Sequence, residues 1–232
     1  MKFLLNFLIF CCLLSSCNQV RELTTINCHM QSPVNIIPED GLSSNHKVIV
    51  HYKSSKEKVA NLGHTVEVQY DSGSFISYDG KDYQFKQFHF HTPSEHLVRG
   101  FEYAMEMHVV HTYKAPQDEE SEYLVVAVFF EEGRSNNFLN SFFSTIPDEE
   151  GAVFESKNLT IDATEIMPEN LSDFYNYRGS LTTPPFSESV NWIVLKNSRK
   201  ASAEQISKIK NIEGENARRV QFLYDRKIES IN

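Results

Sequence analysis

Residues 87–91 read Gln-Phe-His-Phe-His, and residues 106–110 read Glu-Met-His-Val-Val. Side chains two positions apart on a β-strand point to the same face of its sheet. His89 and His91 therefore project together, while the flanking phenylalanines pack on the opposite face. If the second stretch is a neighbouring antiparallel strand, His108 joins them. The two stretches predict a sheet that carries three imidazoles on one face.

Three imidazoles with an open fourth position are typical of a catalytic zinc site. A structural zinc site is usually closed by cysteines, and only Cys28 remains beyond the N-terminal region. Imidazole ligands also suit copper and iron, so the ligand type favours zinc without excluding those metals. The alternative is that these histidines are ordinary sheet residues, and their spacing alone does not decide between the two interpretations.

The rest of the chain predicts a mainly β (α+β) domain around one large sheet. Residues 124–130 form a continuous apolar run, which is typical of a strand buried on both faces. Apolar residues follow a helical period over residues 138–146. A second helix is predicted to begin at Ser202, where Gln205 completes a capping box. Because no repeat or linker interrupts this pattern, we expect a single domain with a few short helices at its periphery.

The composition excludes several classes of protein. The chain has 232 residues, of which 41% are hydrophobic and 23% are charged. These are ordinary values for a folded domain, so intrinsic disorder and coiled-coil architecture are not expected. The formal net charge is -9. Because an acidic chain has no general attraction for nucleic acid or for anionic lipid, we expect no nucleic-acid partner and no general binding to an anionic membrane surface.

The N-terminus has the features of an export signal. Within residues 1–16, Lys2 precedes an apolar stretch that is too short to span a bilayer comfortably. Residues 14–17, Leu-Ser-Ser-Cys, resemble the lipobox of bacterial lipoproteins, in which the cysteine is lipidated after cleavage. We predict lipidation of Cys17, a tether over residues 17–27 and a location in the bacterial cell envelope, in the periplasm or at the cell surface. The alternative is a plain secretory signal with an incidental cysteine.

Several separated motifs resemble those of the α-class carbonic anhydrases. In chain order they are residues 31–36 (QSPVNI), 87–91, 94–110, 179–185 (GSLTTPP), 192–195 and the group Asn216, Arg218, Gln221 and Arg226. Because the resemblance runs from about residue 28 to the end, residues 28–232 are identified as a domain of this family. The resemblance implies a twisted, mostly antiparallel sheet of about ten strands with Zn²⁺ at the bottom of a conical cleft. It also implies reversible hydration of carbon dioxide to bicarbonate and a proton by a zinc-bound hydroxide.

The resemblance further implies roles for individual residues near the metal. His89, His91 and His108 would be the zinc ligands. Gln87 would accept a hydrogen bond from His89, and Glu106 would accept one from His108. These partners would orient the imidazoles toward the ion.

A second set of roles concerns the substrate and the proton. By resemblance, Thr182 accepts a hydrogen bond from the zinc-bound hydroxide and donates one to Glu95, because a carboxylate can only accept. His64 would carry the surplus proton at the rim of the cleft, since the ordinary pKa of histidine suits this task. The substrate pocket would be formed by Val110, Val125, Leu181, Thr183 and Trp192.

The chain departs from the family pattern at several positions. Many extracellular members join a cysteine at the position of Cys28 to one at the position of Phe186, so that disulfide is absent and Cys28 is unpaired. A lone cysteine of this kind is more often buried than reactive. Leu62 stands near His64 where the family commonly has asparagine, and Arg219 and Phe222 stand where prolines are common in the C-terminal motif. The segment that precedes the first motif is also short.

Two alternatives to an enzyme remain. A non-catalytic binding module could use the same fold, although the chain keeps all three histidines, Glu95 and Thr182. A surface metal-binding lipoprotein would hold exchangeable metal at several histidines. For either alternative or for the enzyme, we expect a monomer or a homodimer.

Overall fold

The structure of the protein, a computed structural model, describes residues 28–38, 45–113, 115 and 121–232. The predicted signal, the lipidation at Cys17 and the tether lie outside the described residues. The described residues begin at Cys28, which is also the first residue of the predicted domain.

The described residues form fifteen strands and two α-helices. The strands are β1 (Asn35–Ile36), β2 (Val48–His51), β3 (Ser55–Asn61), β4 (Val66–Gln69), β5 (Phe75–Tyr78), β6 (Lys81–His91), β7 (Leu97–Val98), β8 (Phe101–Glu102), β9 (Met105–Tyr113), β10 (Glu122–Glu132), β11 (Val153–Ile161), β12 (Phe174–Gly179), β13 (Val190–Leu195), β14 (Arg199–Ala201) and β15 (Glu229–Ile231). The helices are α1 (Asn137–Phe143) and α2 (Ala203–Glu213), and a 3₁₀ helix covers Ala163–Glu165.

Twelve of the strands form one large sheet. Its main path runs in the order β11-β3-β4-β6-β9-β10-β13-β12-β15, with β2, β5 and β14 attached beside it. Neighbours are antiparallel except that β10 runs parallel to β13 and to β14. The prediction of a large, mostly antiparallel central sheet is confirmed, with twelve strands instead of about ten. A separate three-stranded sheet joins β1, β7 and β8.

Strand β10 shows why the sheet is buried on both faces. Its side chains alternate between two hydrophobic clusters. Leu124, Val126, Val128 and Phe130 belong to the larger cluster. Val125, Ala127 and Phe129 belong to the smaller one on the other face. The continuous apolar run in the sequence therefore reflects two cores separated by a single strand, as expected for a central strand.

The two helices cover the edge of the larger cluster. Helix α1 begins after Asn136, whose side chain accepts a hydrogen bond from the backbone of Leu139, and it ends at Phe143. It is shorter than the predicted period, because Ile146 is buried beyond the end of the helix. Helix α2 carries the predicted capping box at Ser202 and is followed by Gly214 in a left-handed conformation. No helix among the described residues is both long enough and apolar enough to cross a bilayer.

Candidate metal centre and cleft

The pairing of β6 with β9 brings the three predicted histidines together. The two strands are antiparallel neighbours, and their register places His89 directly opposite His108 and His91 opposite Glu106. The phenylalanines of β6 are buried in the larger cluster. Because side chains alternate along a strand, the histidines occupy the other face. The side chains of His89, His91 and His108 therefore lie next to one another on one face of the sheet.

The three imidazoles are tightly grouped. The ring centroids of His89 and His91 are 5.1 Å apart, those of His89 and His108 are 5.3 Å apart, and those of His91 and His108 are 4.6 Å apart. One nitrogen from each ring lies within 4.8 Å of the corresponding nitrogens of the other two. His91 and His108 are buried, whereas His89 is half-buried. The group is compact enough for one ion to contact all three rings.

The hydrogen bonds around this group test whether a cation fits. Both ring nitrogens of His91 are buried without a hydrogen-bond partner, and so is Oε2 of Glu95. That oxygen lies 3.6 Å from Nε2 of His91 and 3.9 Å from Nδ1 of His108. Buried polar atoms in proteins almost always have a partner. A divalent cation held by the three imidazoles would supply one for His91, so the residues fit a metal ion.

The histidines are in the protonation state that binds metal. Burial lowers the pKa of His91 to about 4. Burial also lowers the pKa of His89 and of His108, and the neighbouring imidazoles contribute to both shifts. All three rings are therefore neutral near pH 7. A neutral imidazole keeps the lone pair that a metal ion requires.

Hydrogen bonds fix which nitrogen of two rings faces the centre. The side-chain oxygen of Gln87 lies 2.9 Å from Nδ1 of His89, and Oε1 of Glu106 lies 2.7 Å from Nε2 of His108. An oxygen that can only accept requires the facing ring nitrogen to donate. The other nitrogen of each ring then carries the lone pair, which leaves Nε2 of His89 and Nδ1 of His108 for a metal.

Glu106 belongs to a larger buried network. Its carboxylate accepts hydrogen bonds from the backbone nitrogen of His96 at 2.8 Å and from Nδ1 of the same residue at 2.7 Å. The Tyr177 hydroxyl lies 2.7 Å from Nε2 of His96 and 2.9 Å from the Ser32 hydroxyl. Burial opposes ionisation of Glu106, but His96 and His108 hold its pKa well below the usual value. The network thus stabilises the buried carboxylate of Glu106, which is hydrogen-bonded to the candidate ligand His108.

His96, Glu106 and His108 also lie close enough together to be considered as metal ligands. However, hydrogen bonds of 2.7 Å already join Glu106 to each of the two histidines. These contacts satisfy the carboxylate, in contrast to the unpartnered nitrogens of His91. In this group Glu106 therefore serves as the hydrogen-bond acceptor that joins His96 to His108. Tyr177 and Ser32 could not be identified as members from the sequence, because nothing in their local sequence shows that they reach His96.

Glu95 and Thr182 lie beside the histidines. Both are buried. Burial raises the pKa of Glu95, while hydrogen bonds from the backbone nitrogen of Arg218 and from the Thr182 hydroxyl lower it. The Arg218 nitrogen is 2.9 Å from Oε1 of Glu95. The two hydrogen bonds favour the carboxylate form and fix its position in the cleft wall.

A cleft of about 490 Å³ opens onto the histidines. It is lined by Leu62, His64, Thr65, Glu67, Gln87, His89, His91, Thr183, Pro184 and Asn216. His64 is exposed at this cleft, as is Thr183. Glu67 is a lining residue that the sequence motifs do not indicate. The signal for it is pairing with His89 across β4 and β6, which is visible only once the strand order is known.

The predicted substrate-pocket residues form an apolar wall next to the metal centre. Val125 pairs with Val110 on one side and with Trp192 on the other, so the three form a row across β9, β10 and β13. The ring centroid of Trp192 lies 4.8 Å from that of His108. Leu181 packs against the same cluster. This wall is part of the smaller core, so its residues also contribute to stability.

The loop after the paired prolines is tied to the N-terminal segment without a disulfide. The Arg218 guanidinium lies 4.0 Å from the centroid of the Phe186 ring, and the Gln31 side chain donates to the Phe186 carbonyl at 3.1 Å. Arg218 also donates to the Ser32 carbonyl at 2.6 Å. Cys28 is free and exposed, so the expectation that it is buried was wrong. The stack and hydrogen bonds connect the two segments that a disulfide joins in many related proteins.

We expect Phe186→Ala to lower the free energy of unfolding by about 1 kcal/mol, because it removes the stack with Arg218. Urea unfolding of the chain from residue 17 measures this change. Phe186→Tyr is the matched control, since a tyrosine ring keeps the stack and should unfold at nearly the wild-type concentration of urea. Equal loss of stability in the two variants would show that the ring face contributes nothing.

Comparisons with known proteins agree with this architecture. A family model described as eukaryotic-type carbonic anhydrase matches residues 19–232. A carbonic anhydrase of Neisseria gonorrhoeae is 40% identical over 198 residues, which cover 84% of this chain and 75% of the relative. A carbonic anhydrase of Nostoc sp. is 36% identical over 184 residues, which cover 79% of this chain and 67% of the relative.

Solved structures show the same similarity in three dimensions. A hyperthermostable carbonic anhydrase from an active hydrothermal vent chimney aligns with a TM-score of 0.79 at 36% identity over 88% of each chain. The α-carbonic anhydrase of Thermovibrio ammonificans, solved with the inhibitor sulfanilamide, aligns with a TM-score of 0.79 at 39% identity over 87% of each chain. With this fold, this histidine cluster and these relatives, the chain belongs to the α-class carbonic anhydrases.

Proposed function

We propose that the protein catalyses the reversible hydration of carbon dioxide to bicarbonate and a proton. The observation that carries this proposal is the convergence of three neutral imidazoles, two of them buried and one half-buried, at the end of an open cleft. His89, His91 and His108 would hold Zn²⁺ through one nitrogen each. When bound, zinc supplies a Lewis acid that turns water into a nucleophile near neutral pH.

Thr182 and Glu95 orient the reacting groups. The Thr182 hydroxyl has a single proton, and Glu95 accepts it because a carboxylate cannot donate. The lone pairs of the Thr182 oxygen are then the ones that face the cleft. They accept a hydrogen bond from the nucleophile and aim its remaining lone pair at carbon dioxide.

The apolar wall holds the substrate. Carbon dioxide has no net dipole, so a surface of hydrocarbon and indole binds it without competing for hydrogen bonds. Val110, Val125, Leu181 and Trp192 supply such a surface next to His108. Their burial excludes bulk water from that side of the centre, so that the substrate rather than a second water meets the nucleophile.

His64 completes the cycle by carrying the surplus proton to solvent. It is exposed and lines the cleft that His89 and His91 also line. Asn216 donates a hydrogen bond to the His64 carbonyl at 2.9 Å, which positions the backbone of this residue at the rim. Leu62 lines the same cleft. An apolar side chain there offers no hydrogen bond to water between the centre and His64.

A rate measurement with and without a chelator tests the proposed activity. Stopped-flow assay of the chain from residue 17 should show hydration of carbon dioxide that is lost with dipicolinate and restored by one equivalent of zinc. Sulfanilamide, the inhibitor in the Thermovibrio structure, should suppress the same rate. A chain that binds zinc but gives only the uncatalysed rate would show that the fold serves as a binding module.

We expect Thr182→Ala to lower kcat/KM for hydration by about a hundredfold, the loss found when one oriented hydrogen-bonding group of an active site is removed. The substitution removes both the hydroxyl proton that Glu95 accepts and the oxygen that accepts a hydrogen bond from the nucleophile. Thr182→Ser keeps the hydroxyl and should stay within a few-fold of wild type. If the alanine variant is as fast as the serine variant, Thr182 does not orient the nucleophile.

We expect His64→Ala to lower kcat in weak buffer by about a hundredfold, the lower end of what a positioned proton-transfer group contributes. The ratio kcat/KM should stay unchanged, because removal of the proton to solvent follows the hydration of carbon dioxide. Added imidazole should restore kcat by carrying the proton in its place. The measurement is the hydration rate at saturating carbon dioxide across buffer concentrations. A kcat that does not respond to the substitution in weak buffer would assign proton transfer to another route.

The location of the protein follows from the predicted lipobox. We propose that Cys17 is acylated after cleavage and anchors the domain to a membrane of the bacterial cell envelope. The support for this is the sequence of residues 14–17 and the apolar stretch before it. Intact-mass analysis of the membrane-extracted protein would show acyl groups on Cys17, whereas a plain secretory signal would leave an unmodified chain.

A further inference from the structure

Val220, Phe222 and Tyr224 form an exposed apolar surface, here called the C-terminal patch, between α2 and β15. Their exposed fractions are 42%, 79% and 56%. Gln221 and Leu223, which lie between them, are half-buried. Exposed and half-buried side chains therefore alternate from Val220 to Tyr224. Grouped apolar side chains on a surface are typical of interaction sites.

The backbone holds this patch in a defined position. Gln221 forms a parallel bridge with Val34, and its backbone nitrogen donates to the Pro33 carbonyl at 2.7 Å. Tyr224 has a φ of 53°, in the left-handed region that aromatic residues rarely adopt. Its ring nevertheless faces outward, 5.9 Å from the ring of Phe222. The turn is closed by the backbone nitrogen of Arg226, which donates to the Leu223 carbonyl at 3.2 Å and so holds the Tyr224 ring at the surface.

The patch lies at the point where the proposed anchor joins the domain. The ring of His29 stacks on Tyr224 at 4.7 Å, and His29 directly follows Cys28. Cys28 is eleven residues after Cys17 in the sequence. A chain of that length reaches at most about 40 Å when fully extended. An acyl chain on Cys17 would therefore keep the patch within that distance of the bilayer.

The charge around the patch suits an anionic surface. Residues 217–227 contain four basic side chains and one acidic side chain, in a chain whose net charge is -9. Arg219 and Lys227 are exposed, as is the acidic Asp225. Aromatic side chains next to arginine and lysine are typical of surfaces that lie in the headgroup region of anionic lipids.

A second copy of the chain fits the patch less well. A stable interface between two proteins buries about 800 Å² on each partner. Two aromatic side chains of at most about 250 Å² each and one smaller valine do not reach that area. Contact with a bilayer has no such requirement, because the acyl chain already supplies most of the attachment.

We infer that the C-terminal patch is a membrane-contacting surface that lays the anchored domain against an anionic bilayer. This inference rests on the proposed acylation of Cys17. Phe222 and Tyr224 insert at the headgroup level, and Arg219 contacts lipid phosphate. The interaction turns a flexible attachment into a preferred orientation of the domain.

The exposed thiol of Cys28 allows a direct test. A fluorophore on Cys28 of the acylated protein, bound to vesicles of phosphatidylethanolamine and phosphatidylglycerol, should be quenched by headgroup spin-labelled lipid. We expect the double variant Phe222→Ser/Tyr224→Ser to show at least threefold less quenching. The matched control is Val153→Ser/Leu159→Ser, which removes two exposed apolar side chains from β11 at the opposite edge of the sheet. This control should be quenched as strongly as wild type.

The outcomes separate the patch from the anchor. Equal quenching in the double variant and wild type, with acylation confirmed by mass, would overturn the patch and leave the anchor standing. If mass analysis shows no acyl group, flotation of the Cys17→Ser protein with the same vesicles decides. In that experiment, the Cys17→Ser protein with the wild-type patch should have a several-fold larger vesicle-bound fraction than the same protein with Phe222→Ser/Tyr224→Ser. Equal bound fractions would overturn the inference. Self-association in lipid-free solution that the double variant abolishes would assign the patch to a second copy instead. Unchanged hydration kinetics in solution would show that the variants are folded.

Discussion

His91→Ala should abolish zinc binding and lower the rate of carbon dioxide hydration by about a thousandfold or more. A bound Lewis acid supplies several kcal/mol of stabilisation to the transition state, and about 1.4 kcal/mol corresponds to a factor of ten in rate. Two imidazoles remain in the variant, and two ligands do not complete a site of this kind. The measurements are zinc content by mass spectrometry and hydration by stopped flow.

His91 is the best of the three ligands to remove, because neither of its ring nitrogens has a hydrogen-bond partner in the protein. Its removal leaves the hydrogen bonds of Gln87 and Glu106 in place, whereas removal of His89 or His108 would deprive one of them of its partner. The metal-free His91→Ala protein should therefore lose mainly the packing of one buried side chain.

The control for this experiment is His51→Ala. His51 is exposed on β2 and its ring stacks on Phe75, away from the cleft lining. The control should hold one zinc ion and turn over at the wild-type rate. A His91→Ala protein with one zinc ion and wild-type turnover would show that the catalytic metal lies elsewhere.

The part of the site that could be predicted from sequence depends on local geometry. The grouping of His89, His91 and His108 follows from the period of two in a strand and from one assumed pairing. The capping box at Ser202 is also local, and it is present. The roles of Glu95, Thr182 and the pocket residues could be proposed only from the family motifs, because no local rule joins them.

What could not be predicted involves residues far apart in the chain. Tyr177 reaches His96 across 81 positions, and it contacts Ser32 across 145 positions. Such contacts depend on the order of the strands in the sheet, which the alternation of apolar and polar residues along each strand does not determine. The stack of Arg218 on Phe186 is of the same kind. The family motifs place Phe186 where many members have a cysteine, and only the structure shows that its ring stacks with the Arg218 guanidinium.

Glu106→Ala should lower the free energy of unfolding of the metal-free protein by about 3 kcal/mol or more, because each buried donor left without an acceptor costs about 1–3 kcal/mol. The carboxylate is fully buried and accepts three hydrogen bonds, two from His96 and one from His108. Alanine leaves those donors buried without an acceptor. Urea unfolding without metal isolates this loss from the stabilisation that bound zinc adds.

The same substitution should weaken zinc binding by about 10–100-fold, the usual effect of losing the hydrogen-bonded partner of a ligand. Without Glu106, His108 can donate or accept through either nitrogen, so its Nδ1 lone pair is no longer fixed toward the centre. Glu106→Gln separates the two effects. Its amide oxygen still accepts one hydrogen bond, which should restore part of the stability, but it lacks the charge that holds the tautomer of His108. We therefore expect Glu106→Gln to unfold between wild type and Glu106→Ala and to bind zinc almost as weakly as the alanine variant. Wild-type zinc affinity in both variants would mean that the carboxylate supports only the fold, and that the imidazole of His108 is oriented by packing against Trp192.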